Sequence, residues 1–260
     1  MTKTLNSNGN SDRGGGGART RNEARTQMLI EFQERMTKIV SSGDFPAFEA
    51  ALNSAEALEC GFRGSPDRAE IVELLHDCVL ATNPQMVQMC VRTMRVNPMT
   101  ALIATGQRAA EMLTHTGTVN ELQCLALLVD CPTFDPNFVY HSGRQSERGT
   151  AFGEHGTLLW EIVQEPSLVT LQVFLAYTRK PVSLTYQGYF ADDGSYDPQR
   201  MSIWHLLTTL ENIEPERVPM LQDIRRLLQD YRANPNGTKA NIKALNLFAS
   251  PTPAISSVTS

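Results

Sequence analysis

The chain has 260 residues, 41% of them apolar, and a formal net charge of −5. That length suits one elongated domain or two small ones with a sizeable core. No apolar run approaches the ~18 residues of a membrane span, and the polar N-terminus is unlike a secretory signal. The charge is segregated: residues 1–26 carry +3 and residues 237–260 carry +2, leaving −10 on the body between them. An acidic body argues against duplex binding, because phosphates call for a basic face. The expected setting is the cytoplasm, or export by a specialised secretion system that needs no signal peptide. The five cysteines are scattered and form no CxxC pair, so neither a zinc site nor a disulfide framework is implied, and buried reduced thiols are expected.

Residues 1–26 are Gly, Ser, Asn and Arg with almost nothing apolar, a composition that cannot offset its ordering entropy by burial. They are expected to form a disordered tail, in which GGGG flanked by arginines is the single feature that suggests RNA. A helical pattern starts at Thr26, with Met28, Leu29, Phe32, Met36 and Val40 on one stripe. Ser41 to Asp44 break it, and a second helix opens with Asp44 as N-cap. Such pairs recur at 69–82 with 84–94, 108–115 with 119–129, 157–164 with 168–177, and 202–210 with 218–231. Nine extra residues, about ENIEPERVP, separate the last two helices and read as a solvated loop carrying Glu211, Glu214 and Glu216. From residue 237 the chain reads as a flexible polar tail.

One phrase is repeated within this series. VQMCVRTMRVNPM, LALLVDCPTFDPN, VTLQVFLAYTRKP and IRRLLQDYRANPN each run from an apolar helix into a turn, with proline at Pro98, Pro136, Pro181 and Pro235. Ser202-Ile203-Trp204-His205 and Thr157-Leu158-Leu159-Trp160 open the preceding helices in the last two units. On these residues the segment 27–236 resembles the ankyrin-repeat family, whose unit of about 33 residues carries TPLH at its first helix and GADPN at its closing turn. The resemblance implies an all-α fold, an α-solenoid of about five divergent helix-turn-helix units with short β-hairpin fingers. The glycine of GADPN is replaced by Arg95, Thr133, Thr178 and Arg232, so those turns must close differently or at some cost. The TPLH histidine stands at His205, with His76 one residue out of register, and the resemblance implies a structural role for it at the helix start.

Two connectors are longer than the family's. Pro136 to Thr157 and Pro181 to Ser202 each enclose twenty residues, and the enlarged unit recurs at a spacing of 45. VSLTYQGYF alternates with a period of two and runs into Asp193-Gly194, a hairpin turn signal. FVYHSGRQSERGTAF has apolar ends and a polar, Gly-containing tip. Both read as elongated fingers, and they gather Tyr140, His141, Arg144, Arg148, Tyr186, Tyr189, Phe190 and Tyr196. Tyrosine and arginine dominate interface hot spots, so these eight are the candidate partner-binding residues. The alternative is that the two fingers pack on each other and their aromatics cover the sheet between them.

No phosphate-binding loop, HExxH or GxSxG is present, so no catalytic residue, metal ligand or cofactor is assigned. Asp192 to Asp197 lacks the alternating acids of a calcium loop and reads as a turn. Trp160 and Trp204 are expected in the core between units. The expected function is non-enzymatic recognition of a partner protein through the fingers and the adjacent helix face, as in an adaptor or a secreted effector. Two other readings stay open: an enzyme with a Cys/His site built from Cys131, His141 and His155 near 138–155, and RNA binding through the N-terminal tail.

Overall fold

A computed structural model of the chain describes residues 15–62, 68–98, 118–146, 149–190 and 199–248. Most of this is helix. The first pair is α1 (Gly15–Ser42) and α2 (Phe45–Leu52). Phe32, Met36 and Val40 form the buried stripe of α1, at the spacing a one-faced helix requires. Asp44 caps α2 as its position predicts, with its carboxylate accepting from the Ala47 N–H at 3.0 Å. A short helix, α3 (Ala55–Glu59), follows under a Ser54 cap. Next come α4 (Ala69–Leu80) and α5 (Pro84–Gln88), which runs on into a five-residue π-helical turn at Met89–Thr93. The first helix of the third expected pair, at 108–115, lies outside the described residues. Its partner is α6 (Val119–Val129), which starts on a reciprocal capping box between Thr118 and Glu121.

Two antiparallel hairpins interrupt the helices. Strands β1 (Tyr140–Ser146) and β2 (Gly149–Gly156) pair from Tyr140 opposite Gly156 to Ser146 opposite Gly149, with an irregularity between Tyr140 and His141. They lead into α7 (Leu158–Gln164) and α8 (Leu168–Tyr177). Strands β3 (Gln187–Phe190) and β4 (Gln199–Ser202) form the second hairpin, which leads into α9 (Ile203–Ile213). A 3₁₀ turn at Pro215–Arg217 connects to α10 (Val218–Ala233), and α11 (Pro235–Ala244) closes the described chain.

Packing follows chain order. Helix α2 lies on α5, α5 on α6, α6 on α8 and α8 on α10; alongside them α1 lies on α4 and α7 on α9. One continuous core results, in which Leu128, Phe174, Leu175 and Leu228 are buried while Leu127 and Leu227 are half-buried against it. Four of the five cysteines are buried and all five are free. Burial pushes the Cys124 thiol up to about 12, so it is inert as a nucleophile at neutral pH.

Three expectations need correction. Helix starts at Gly15, ahead of Thr26, although Glu23 to Gln27 are exposed and nothing in that stretch is buried. The C-terminal tail does not begin at 237: α11 buries Thr238 and Ile242, and Lys239 donates to the Thr178 carbonyl at 2.6 Å. Phe248 packs its ring on Tyr177 at 5.5 Å. The solvated loop at 211–219 is largely helix, and Glu211 ties α9 to α10 through the Arg225 guanidinium at 3.0 and 3.2 Å.

The four turns that lack glycine close in different ways. Thr178 is extended at φ −60, Thr133 is not left-handed, and Arg232 stays helical inside α10. Arg95 does take the left-handed conformation, at φ 59, so that the Val96 N–H can return to the Cys90 carbonyl at 3.1 Å. A residue with a Cβ costs about 1–2 kcal/mol there. Arg95→Gly is therefore expected to raise stability by up to ~1 kcal/mol after the added unfolded-state entropy, read as a higher melting temperature.

Asp77, near the end of α4, sits in a cleft with Thr37, Ser41 and Leu80. Burial raises its carboxyl above the ordinary range, with His76 opposing the shift. The folded chain then holds this proton more tightly than the unfolded chain, so stability falls as pH rises from the ordinary carboxylate pKa through the raised one. Asp77→Asn is expected to melt higher than the parent at pH 7, with the difference closing below about pH 3.5, where both states are protonated. A constant difference across that range would reject the assignment.

Candidate functional site

The two hairpins are held at their bases by one indole ring. Trp160, in the first turn of α7, is 1% exposed. It is oriented by the Thr157 cap, whose hydroxyl accepts from the Trp160 N–H at 3.3 Å. Gly156, the last residue of β2, lies against one part of the ring, and Gly188, on β3, lies against another. A Cβ at Gly156 would stand 2.6 Å from Trp160 Cδ1, and one at Gly188 would stand 2.4 Å from Cε2. Gly156 is also left-handed at φ 121, so no other residue suits it on either ground. Tyr186 meets the same ring edge-on, with centroids 6.1 Å apart at 76°. Strand β2 lies beside β3, so the hairpins are neighbours.

A second set of contacts joins the connectors and their flanks to segments far away in the chain. The Asn137 side chain donates to the Pro181 carbonyl at 2.9 Å and accepts from the Ser183 N–H at 2.7 Å. The Val182 N–H donates to the Tyr231 hydroxyl at 3.2 Å, and Arg179 forms a two-pronged pair with Asp130 at 2.9 and 3.2 Å. That pair holds the Arg179 guanidinium still more firmly protonated than usual. Each contact spans 44 to 49 residues, close to the sequence period of 45.

These contacts distribute the candidate residues unevenly. Tyr140, His141 and Arg144 lie on β1, opposite Gly156, Glu154 and Ala151; Tyr189 and Phe190 lie on β3, opposite Arg200 and Gln199. Arg148 and Tyr196 lie outside the described residues. Tyr186 is half-buried on Trp160, which makes it a support of the hairpin base. His205 is exposed, and Ser202 caps α9 instead, accepting from the His205 N–H at 3.3 Å. Cys131 is half-buried with its sulfur 3.2 Å from the Thr133 hydroxyl, while His155 stands at the irregular end of the β1–β2 ladder. Among the described residues no group of three His, Cys, Asp or Glu side chains is placed to hold a metal, and no helix is long and apolar enough to cross a membrane.

Sequence reasoning missed a cleft of about 520 Å³ below the second hairpin. The connector residues Val182, Leu184 and Thr185 form one wall, Trp204 another, and Tyr231 with Arg232 the third. Trp204 was expected in the core, and it is half-buried at the rim instead. The available signal was the spacing Trp204–Tyr231–Arg232 around the Pro181 connector, which is informative only once α9, α10 and the connector are known to converge. No protein-family model matches the chain, and no curated protein or solved structure matches it either.

The packing of glycine on Trp160 can be tested directly. Gly188→Ala is expected to cost about 1–3 kcal/mol, the usual range for overpacking a filled core. Adding Trp160→Phe should recover part of that loss, since the smaller ring leaves room for the methyl group. Strictly additive effects in this double-mutant cycle would show that the two residues do not press on each other.

Proposed function

We propose that the protein is a recognition module, a stack of divergent ankyrin-like helix pairs. It binds a partner protein through its two elongated hairpins and the helix face beside them. The observation that carries this reading is the Asn137 clamp. Residues one sequence period apart meet in space and are joined through backbone groups, as stacked units require. Thr157 and Ser202, 45 residues apart, cap the neighbouring helices α7 and α9, which adds a second instance. Tyr189 and Phe190 on β3, with Tyr140, His141 and Arg144 on β1, concentrate aromatic and basic residues on adjacent hairpins. Stacks of this kind act as rigid scaffolds on which side chains, rather than the fold, choose the partner. The −10 body charge favours a basic or neutral partner through steering of the encounter.

The test is capture of partners from a cell lysate by the full chain and by a Tyr189→Ala/Phe190→Ala variant. Tyr186 is left intact because it supports Trp160. A partner held by the parent and reduced at least ~10-fold by a variant of unchanged melting temperature is the expected result, since loss of two aromatic anchors typically exceeds 1.4 kcal/mol. Capture unaffected by the double change would remove the hairpins from the binding surface.

A further inference from the structure

The last turns of α1 and α4 border one cleft of about 430 Å³. Thr37, Val40, Ser41 and Ser42 line it from α1, and Asp77 and Leu80 line it from α4. Proline follows both helix ends at the same offset. Pro46 stands four places after Ser42 and Pro84 four places after Leu80, and proline has no N–H to return to either carbonyl. Among the described residues the Ser42 and Leu80 carbonyls accept no backbone hydrogen bond from beyond the helix end. Two helix C-termini, each carrying partial negative charge in its final turn, therefore share this space.

The side chains add acceptors to that field. The Ser41 and Ser42 hydroxyls spend their protons on the Thr37 and Ile39 carbonyls, both at 2.8 Å, which leaves only oxygen lone pairs for a ligand. Asp77 is half-buried, and among the described residues its carboxylate has no hydrogen bond and no ion pair. No lysine or arginine lines the cleft. At two other helix ends the chain supplies the cation itself. Arg68 donates to the Cys60 carbonyl at the end of α3 at 2.8 Å, and to the two Glu70 oxygens at 3.0 and 3.3 Å. Lys239 caps the Thr178 carbonyl at the end of α8. The α1–α4 cleft has the terminal carbonyls and the carboxylate of the Arg68 arrangement and lacks its guanidinium. One carboxylate is too few for a divalent metal ion, whereas Leu80, 47% exposed, offers an apolar wall to the stem of an organic cation.

We propose that this cleft receives one arginine side chain of the partner protein, with its guanidinium on Asp77 and the final turns of α1 and α4, and its stem along Leu80. The proposal rests on the recognition reading and gives it a contact apart from the hairpins. An arginine donor suits the −10 charge of the body. Its planar fork engages a carboxylate through two N–H groups while the remaining ones reach hydroxyl or carbonyl oxygens. Burial raises the Asp77 carboxyl with only His76 opposing, and a bound guanidinium stabilises the charged form that burial disfavours.

The experiment titrates N-acetylarginine amide into the full chain and follows the backbone amide resonances by NMR. Saturable shifts are expected at Ser41, Ser42, Gly43, Leu80 and Ala81, the residues at the two helix ends. The citrulline analogue, nearly equal in shape but uncharged, should bind about tenfold more weakly, and the lysine analogue, without the planar fork, about threefold more weakly. Asp77→Asn should lower the affinity for the arginine amide about tenfold, the effect of losing one charge-assisted pair. That variant is expected to be no less stable than the parent at pH 7, so lost binding is not lost folding. Thr37→Lys, at an exposed position one turn before Ser41, should block the site by placing a cation there in cis. No saturable shift at these residues, citrulline or lysine binding as tightly as arginine, or an affinity unchanged in Asp77→Asn would each overturn the proposal. A partner captured through Tyr189 and Phe190 and held equally well by Asp77→Asn would overturn the cleft contact and leave the recognition reading standing.

Discussion

The contact on which the candidate site depends is the close approach of Gly156 and Gly188 to the buried indole of Trp160. A ring of that size at the foot of two hairpins determines how near their backbones can come to the helices. Only residues without a Cβ allow the observed separation. Burying the ring also places a large apolar area at the hairpin bases. Tyr186 completes the packing from the side. The fingers are therefore anchored at their bases by core packing, and what projects beyond that base is free to differ in sequence.

Polar contacts then join segments that are far apart in the chain. Asn137 and Tyr231 each satisfy a backbone N–H that the chain leaves without a helical or strand partner, and the Arg179–Asp130 ion pair adds a side-chain tie across the same interval. A buried backbone N–H such as that of Val182 costs about 1–3 kcal/mol if left unpaired, so the Tyr231 hydroxyl matters more as a satisfier than its net hydrogen-bond energy suggests. The surface ion pair contributes less, because both partners are solvated. Lys239 does for the end of α8 what these groups do elsewhere, capping the Thr178 carbonyl from α11. Burial lowers its pKa, with Lys243 adding to the effect.

Local features were readable from the chain. Asp44 caps the helix that its position announces, and the Phe32–Met36–Val40 stripe faces the core, whereas at the start of α9 the cap is Ser202 and not the expected His205. Both hairpins stand on the two long connectors, but the second begins only at Gln187, after the alternating stretch Val182–Tyr186, and its expected turn at Asp193-Gly194 lies outside the described residues. The candidate binding residues were legible as a cluster on two connectors, yet Tyr186 could not be told from its neighbours. Its role depends on a ring 26 positions earlier in the chain. The docking of α11 was invisible for the same reason. A polar helix with one buried isoleucine looks like a tail until Lys239 is seen against a carbonyl 61 residues away.

By itself the sequence determined most of the described helices, the Asp44 cap, the 45-residue period and the two long connectors, because each is written in local spacing and in side chains that act on their own backbone. Tertiary structure decided which groups share a space: Trp160 with Gly156 and Gly188, Asn137 with the next connector, and Trp204, Tyr231 and Arg232 around one cleft. Those outcomes depend on how closely distant segments can approach, and close approach is limited by volume and by unsatisfied backbone groups, neither of which has a period in the chain.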